Sequence, residues 1–211
     1  MLNTCEIFKS IQGESSRAGM VCSFVRLSGC NLRCGYCDTV YAWEGGVDRS
    51  IESIVDEVRS HKTTLVEVTG GEPLLQADTP ALCSEFIDTG YTVLVETNGS
   101  IDISVLPAGV VRIVDIKTPS SGHAERFLDK NYKSLRMADE CKFVISDKKD
   151  FDWSIALVRE KELDKKSLII FSPNMQKLAP DLLAEWVVEE NAPVRLGLQL
   201  HKIIWGDRRG V

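Results

Sequence analysis

The chain has 211 residues, of which 44% are hydrophobic and 27% are charged, and its formal net charge at pH 7 is −6. This is the composition of a globular protein long enough to bury its own core, and its acidity argues against broad binding to nucleic-acid phosphates. Residues 1–14 lack the basic and apolar pattern of a secretory signal, and no stretch approaches the roughly 20 apolar residues of a membrane span. We therefore expect one domain, residues 1–211, that is cytoplasmic and binds neither nucleic acid nor membrane.

Segments with the pattern of β-strands alternate with segments with the pattern of helices along the whole chain. Predicted strands cover residues 4–10, 21–27, 65–69, 91–96, 110–116, 141–146, 168–171 and 194–200. Predicted helices cover residues 51–61, 79–90, 151–163 and 179–190, the last being the final helix, with a buried stripe of Leu182, Leu183, Trp186 and Val187. The alternation predicts an α/β fold with a mostly parallel sheet. Because a complete eightfold barrel needs about 250 residues, we expect an open, incomplete (β/α)6-type TIM-like barrel.

Polar and glycine-rich stretches follow the predicted strands at the point where each strand ends. They are a cysteine-rich loop after residue 29 and the stretches 70–73, 97–99, 117–121 and 172–175. In a parallel barrel these carboxyl ends share one face, and that face carries the chemistry. We therefore expect the functional residues to lie there.

The cysteine-rich loop contains Cys30, Cys34 and Cys37, spaced Cys-x3-Cys-x2-Cys. An iron–sulfur cluster held by cysteines normally takes four thiolates, so three leave one iron open to a substrate or second cofactor. A zinc site closed by Cys22, Cys141 or His201 is the alternative interpretation. Seven cysteines in 211 residues are too few for a disulfide scaffold, and we expect Cys5, Cys22, Cys83 and Cys141 to pack as small buried residues.

With Tyr36 directly before Cys37, the loop resembles that of the radical S-adenosylmethionine (SAM) superfamily. The resemblance implies a [4Fe–4S] cluster whose open iron binds SAM, and a 5′-deoxyadenosyl radical that abstracts a hydrogen atom. Gly70-Gly71-Glu72-Pro73, one strand later, is similar to the motif of that superfamily that meets the SAM amino group.

Further motifs resemble the 7-carboxy-7-deazaguanine synthases within that superfamily. They are Ile11-Gln12-Gly13-Glu14, Arg26 to Cys30, Cys37-Asp38-Thr39, Thr69 to Leu75, Glu96-Thr97-Asn98-Gly99 and Leu198 to Lys202. The resemblance implies conversion of 6-carboxy-5,6,7,8-tetrahydropterin to 7-carboxy-7-deazaguanine with loss of ammonia, in queuosine and 7-deazapurine biosynthesis. It also implies that Mg²⁺ is required and that SAM is regenerated.

The same resemblance implies a role for each candidate residue. Cluster ligands are Cys30, Cys34 and Cys37; the magnesium ligand is Thr39; SAM contacts are Tyr36, Cys37, Asp38, Gly71, Lys117, Ser172 and Asn174; substrate contacts are Ile11, Gln12, Gly13, Glu14, Arg26, Thr69 and His201. Arg26 is suited to bind the substrate carboxylate through two parallel hydrogen bonds. Gln12 and Glu14 are suited to form hydrogen bonds with the guanidine-like edge of the pterin. His201 is expected at the end of the closing strand.

Two other functions share part of this pattern. A glycyl-radical enzyme activase has the same cysteine spacing, and a non-catalytic zinc or iron–sulfur module would have four protein ligands and would not bind SAM. The chain also departs from some deazaguanine synthases, because no proline follows Pro193 at the C-terminus. The resemblance further implies an electron donor such as flavodoxin or ferredoxin, and a homodimer.

Overall fold

The computed structural model describes residues 1–206 and 208–211. Within them the strands are β1 (Leu2–Ile11), β2 (Val21–Leu27), β3 (Val47–Arg49), β4 (Leu65–Gly70), β5 (Thr92–Thr97), β6 (Val111–Asp115), β7 (Glu140–Ile145), β8 (Leu168–Pro173) and β9 (Arg195–Leu196). The helices are α1 (Ile51–Ser60), α2 (Thr79–Asp88), α3 (Asn131–Ser134), α4 (Lys148–Lys161), α5 (Pro180–Glu189) and α6 (Leu200–Trp205). None of the helices so described is both long and apolar enough to span a bilayer.

The nine strands form one sheet in the order β3-β1-β2-β4-β5-β6-β7-β8-β9. Strand β1 pairs antiparallel with both β2 and β3, whereas every pair from β2 to β9 is parallel. Strands β3 and β9 are the two edges of the sheet, so the barrel is open. The predicted incomplete barrel of mostly parallel strands is confirmed.

Alternation along each strand separates a main core from the barrel interior. In β4, Val66 and Val68 join the core under α1 and α2, whereas Leu65 packs in a second apolar cluster with Phe24 and Leu94. Because successive side chains of a strand point to opposite faces, Glu67 and Thr69 share the inner face with Leu65. The inner surface of the barrel is thus apolar at its amino end and polar towards its carboxyl end.

The start of α1 and the end of α2 are set by a capping serine and by a glycine. The Ser50 hydroxyl accepts a hydrogen bond from the Ser53 N–H at 3.1 Å and caps α1 at its amino end. Gly90, with a φ of +90°, stops α2 in the left-handed conformation that glycine adopts without strain. The helices predicted over 51–61 and 79–90 are therefore found close to their expected bounds.

The predicted closing strand over 194–200 is wrong, since only Arg195–Leu196 pairs with β8. The chain then packs Gly197 against Ile170 and Ser172, and the Leu200 N–H donates to the Gly13 carbonyl at 2.9 Å. Residues 200–205 form α6 from this contact onward, so His201 lies on a helix and not at the end of a strand. The helix predicted over 179–190 is therefore not the last one.

Two packing predictions are wrong in part. Leu182 is 39% exposed because α5 buries mainly Leu183, with Trp186 and Val187 at the margin of the core. Cys5 is only half-buried, whereas Cys22, Cys83 and Cys141 are buried as expected.

Candidate active site

A cavity of about 790 Å³ opens at the carboxyl ends of the parallel strands. It is bordered by the loops that follow β2, β4, β5, β6 and β8, together with α6 and the C-terminal residues 208–211. All of the candidate residues line it: Ile11, Gln12, Gly13, Glu14, Arg26, Cys30, Cys34, Tyr36, Cys37, Asp38, Thr39, Thr69, Gly71, Lys117, Ser172, Asn174 and His201. The structure therefore brings together every residue that the sequence singled out, while their individual roles stay predictions.

The cysteine loop leaves β2 through Gly29, whose φ is +96°. Backbone contacts hold the loop: the Gly35 N–H donates to the Ser121 carbonyl at 3.3 Å, and the Cys37 N–H donates to the Cys34 carbonyl at 3.1 Å. The three thiols are free and half-buried, and burial raises the pKa of Cys30 and Cys34. In a [4Fe–4S] cluster each thiolate binds a different iron, so half-buried thiols spread along one cavity wall fit this group.

Gly71 lies against the start of the cysteine loop. A Cβ at Gly71 would stand 2.1 Å from the Gly29 carbonyl oxygen and 2.7 Å from Cys30 Cβ, so only glycine fits. The next residue, Glu72, is buried and accepts hydrogen bonds from the Asn98 N–H at 2.7 Å and the Thr97 hydroxyl at 2.8 Å. Glu72 thereby fixes the glycine motif to the end of β5, next to the thiols.

Asp38 connects the cysteine loop to α6. Its carboxylate accepts from Lys202 Nζ at 2.6 Å and from the Thr39 hydroxyl at 2.9 Å. Although burial opposes ionisation, Lys202 lowers the pKa of Asp38 below its usual range. Among residues 1–206 and 208–211, no three His, Cys, Asp or Glu side chains converge as ligands of one ion. Thr39 still fits Mg²⁺, since this cation takes most of its ligands from water and substrate oxygens.

The zinc interpretation finds no support in the positions of its extra ligands. Cys22 and Cys141 are fully buried in the two apolar clusters. His201 does line the cavity, and its ring packs on Gly13, where a Cβ would be 2.1 Å from His201 Nδ1. Burial lowers the pKa of His201.

The remaining SAM candidates lie on the walls formed by β6 and β8. Lys117 pairs with Asp115 at 2.8 Å, and this carboxylate raises the lysine pKa although burial acts in the opposite direction. Burial raises the pKa of Tyr36 to about 12, so its phenol is neutral. Asn174 donates through Nδ2 to the Ser146 hydroxyl at 3.1 Å, which holds its amide at the cavity.

Arg26 stands on the β2 wall and is aimed by its neighbours. Its Nε donates to Glu6 Oε1 at 2.7 Å, and the Tyr41 hydroxyl donates to the same oxygen at 2.9 Å. Among the described residues, Arg26 makes a side-chain hydrogen bond through Nε alone, so its terminal NH₂ groups are available to a ligand. The C-terminal Arg209 stacks over the Tyr41 ring at 3.9 Å and closes this side of the cavity.

The β1–β2 loop enters the barrel and forms the floor of the cavity. Gln12 donates through Nε2 to Glu67 and accepts the Glu14 N–H at 2.9 Å, so its amide is largely engaged within the protein. Glu14 accepts from Lys142 Nζ at 2.5 Å, and Lys142 also donates to Glu96 at 2.6 Å. Lys142 lowers the pKa of Glu14 against the effect of burial, which leaves a carboxylate on the floor.

Four charged residues of this inner layer were not predicted as site residues: Glu67, Glu96, Asp115 and Lys142. A signal for them does exist in the sequence. Glu67 interrupts the apolar run of β4, and Lys142 interrupts that of β7. Charged residues within parallel strands that are otherwise apolar indicate a barrel interior that binds a polar ligand.

Comparison with known proteins identifies the family of the chain. The family model of the radical SAM superfamily matches residues 24–116. A 7-carboxy-7-deazaguanine synthase of Koribacter versatilis is 44% identical, with 95% of each chain covered. Another, from Chlorobaculum tepidum, is 45% identical and covers 100% of this chain and 97% of its own. The crystal structure of QueE from Escherichia coli has the same fold, with a TM-score of 0.79 at 22% identity over 95% of this chain and 94% of that one.

The cysteine loop and the matches to these relatives and to the superfamily model define a radical SAM enzyme, whose cofactors are a [4Fe–4S] cluster and SAM. At this level of identity over nearly its whole length, the chain belongs to the 7-carboxy-7-deazaguanine synthase family. This membership sets aside the glycyl-radical activase and the non-catalytic module.

Proposed function

We propose that the chain converts 6-carboxy-5,6,7,8-tetrahydropterin to 7-carboxy-7-deazaguanine with loss of ammonia, for queuosine or related 7-deazapurines. The observation that carries the proposal is the single cavity that holds three cysteine thiols at one wall and Arg26 and Glu14 at another. A cation for a carboxylate and a carboxylate for ring N–H groups match the two polar ends of this substrate.

The cluster and SAM, when bound, supply the radical chemistry that abstracts hydrogen from the substrate. Cys30, Cys34 and Cys37 would hold the cluster as thiolates, and Gly71 would lie against the SAM amino group beside them. Tyr36, Asp38, Lys117, Ser172 and Asn174 line the remainder of the SAM site. The protein contributes orientation and exclusion of water.

The substrate site lies on the floor of the cavity. The terminal NH₂ groups of Arg26 would bind the substrate carboxylate, and the Thr39 oxygen would be a ligand of Mg²⁺, a cation that favours carboxylate oxygens. Glu14 accepts hydrogen bonds from the guanidine-like edge, with Ile11, Gln12, Gly13 and Thr69 beside it. His201 and α6 cover the bound pterin, and the carbon next to the carboxylate is thereby fixed for hydrogen abstraction.

Turnover also needs an electron, and we infer a small electron-transfer protein such as flavodoxin or ferredoxin as the donor. We infer a homodimer as the assembly. SAM is proposed to act as a regenerated cofactor.

The test is an anaerobic assay of the cluster-reconstituted enzyme with SAM, Mg²⁺, dithionite and 6-carboxytetrahydropterin, followed by mass spectrometry. The expected result is 7-carboxy-7-deazaguanine in amounts that exceed the methionine released. Formation of 5′-deoxyadenosine without any deazapurine would overturn the substrate assignment. Methionine released in proportion to product would overturn the regeneration of SAM.

A further inference from the structure

Four carboxyl groups face the barrel interior, and one of them differs from the others. Glu14, Glu96 and Asp115 share Lys142, with Nζ–oxygen distances of 2.5, 2.6 and 3.8 Å. Glu67 has no lysine, arginine or histidine nitrogen within 4.0 Å among residues 1–206 and 208–211. It accepts a hydrogen bond from Gln12 Nε2, which is an uncharged donor.

The surroundings of Glu67 oppose ionisation. Its register partners are Phe24 on β2 and Leu94 on β5, both of the apolar cluster that fills the barrel below, and the residue is 3% exposed. A buried carboxylate without a cation is costly, and such a group stays protonated instead. Burial, followed by repulsion from Glu96 and Glu14, raises the pKa of Glu67 well above its usual value.

The Gln12 amide connects the Glu67 carboxyl group to the backbone N–H of Glu14. Nε2 donates to Glu67 Oε2, and the amide oxygen accepts the Glu14 N–H at 2.9 Å. A neutral Glu67 that accepts from Gln12 at one oxygen keeps the O–H of the other oxygen for the cavity that it lines. Glu14, held by Lys142, is an acceptor, so the floor presents a donor next to an acceptor.

We propose that Glu67 is a specificity-determining residue: a neutral carboxylic acid that donates a hydrogen bond to the 4-oxo group of the pterin. Glu14 accepts from the adjacent ring N–H and the 2-amino group. Glu67 as a donor and Glu14 as an acceptor match the lactam edge of a 2-amino-4-oxo pteridine, where the 4-oxo group accepts and the ring N–H and the 2-amino group donate. This inference rests on the proposed function, because it takes the substrate to be a pterin acid.

The experiment measures anaerobic equilibrium binding of two oxidised, unreactive ligands to the cluster-loaded enzyme without reductant. Pterin-6-carboxylate carries the 4-oxo acceptor, whereas 2,4-diaminopteridine-6-carboxylate carries a 4-amino donor at the same position. The wild type is expected to prefer the 4-oxo ligand by at least about tenfold, since the wrong partner leaves buried polar groups unpaired. This comparison needs no variant, so it does not depend on whether a variant folds.

Two substitutions of Glu67 test whether this residue binds the ligand as a neutral acid or as an anion. Glu67→Gln keeps an uncharged donor of the same shape and should bind the 4-oxo ligand within about threefold of the wild type, whereas Glu67→Met should weaken it at least about tenfold. A difference infrared spectrum, wild type minus Glu67→Gln, should contain the carbonyl stretch of a protonated carboxyl. The matched control is Glu85→Gln on the exposed face of α2, which should change neither measurement.

Three results would overturn the inference: a wild type that prefers the 4-amino ligand, a Glu67→Gln variant as weak as Glu67→Met, or a carboxylate signal in place of the protonated one. If the wild type converts 6-carboxytetrahydropterin but does not discriminate between the ligands, the inference falls and the proposed function stands. If it neither binds a pteridine acid nor forms the deazapurine, both fall.

Discussion

Gly71 shows how one residue without a side chain determines whether the cofactor site can form. A methyl group there would meet the Gly29 carbonyl oxygen at 2.1 Å, and a backbone atom cannot rotate away as a flexible side chain can. The clash would displace the entry of the cysteine loop. The identity of residue 71 therefore acts on the thiols through sterics and not through a bond of its own.

Gly71→Ala is expected to abolish SAM binding and to reduce cluster loading while the protein remains folded. The measurements are iron and sulfide content after reconstitution, and the change that SAM causes in the electron paramagnetic resonance spectrum of the reduced cluster. The matched control is Gly35→Ala in the same loop, where a Cβ would meet only the Ser120 carbonyl at 3.9 Å. Equal loss of cluster in both variants would mean that the loop tolerates no added volume anywhere, and the specific role of Gly71 would be refuted.

At the scale of elements, the sequence pattern predicts a strand where the structure has the two-residue β9 followed by α6. Residues 194–200 alternate as a strand does, yet β9 holds only two residues, because the Leu200 N–H pairs with Gly13 and not with β8. Alternation reports a preference of the local chain, whereas this pairing comes from a loop near residue 13. By contrast, the Ser50 cap at the start of α1 and the left-handed Gly90 after α2 are local features, so those bounds could be predicted.

The Lys202–Asp38 contact joins α6 to the cysteine loop. Lys202→Met should raise the KM for the pterin by about two- to fivefold, because a pair this exposed is worth at most about 1 kcal/mol. It should also speed hydrogen exchange over residues 199–206, since the helix loses one of its anchors. Steady-state kinetics and exchange mass spectrometry check both effects.

Lys165→Met, which removes an exposed pair with Glu162 far from the cavity, is the matched control and should leave KM unchanged. A higher KM without faster exchange would contradict the role given to α6. The contact would then act through Asp38 alone, and the dissociation constant of SAM would change with it.

Across the whole molecule, the cavity with the candidate residues lies at the carboxyl ends of the parallel strands, whereas a buried ion pair lies near their amino ends. The mostly parallel α/β sheet and the placement of the candidate residues at its carboxyl ends could be predicted from strand–helix alternation and from the motifs at strand ends, both of which are local patterns. The ionisable residues inside the barrel, such as Glu67 and Lys142, could not be predicted, since their partners come from β1–β2 loop residues about 55 and 128 positions away in the chain. Which charges meet inside a barrel is set by register and closure, and single segments do not encode it.

The opposite end of the sheet carries a buried ion pair. Arg112, near the start of β6, donates through Nε to Asp139 Oδ2 at 3.0 Å, and the Arg136 N–H donates to the same oxygen at 2.8 Å. Asp139 is fully buried, yet these bonds outweigh burial and hold its pKa below the usual value. Because the folded-state pKa is depressed, the stabilisation is present above the unfolded value near 4 and is lost as the pH falls through the folded value.

Asp139→Asn is expected to lower the free energy of unfolding at pH 7 by about 3–5 kcal/mol, because it leaves the guanidinium of Arg112 buried without its counter-charge. Urea unfolding of the cluster-free protein measures this, and the difference from wild type should shrink at pH 3, below the unfolded pKa, because the unfolded chain then binds a proton that the folded ion pair disfavours. Asp56→Asn removes an exposed partner of Arg59 and should cost less than about 0.5 kcal/mol. A difference that stayed constant down to pH 3 would show that the loss comes from packing and not from charge. The amino end of the barrel would then be stabilised by packing, and the acid sensitivity of the protein would have to arise from the carboxylates that pair with Lys142 in the cavity.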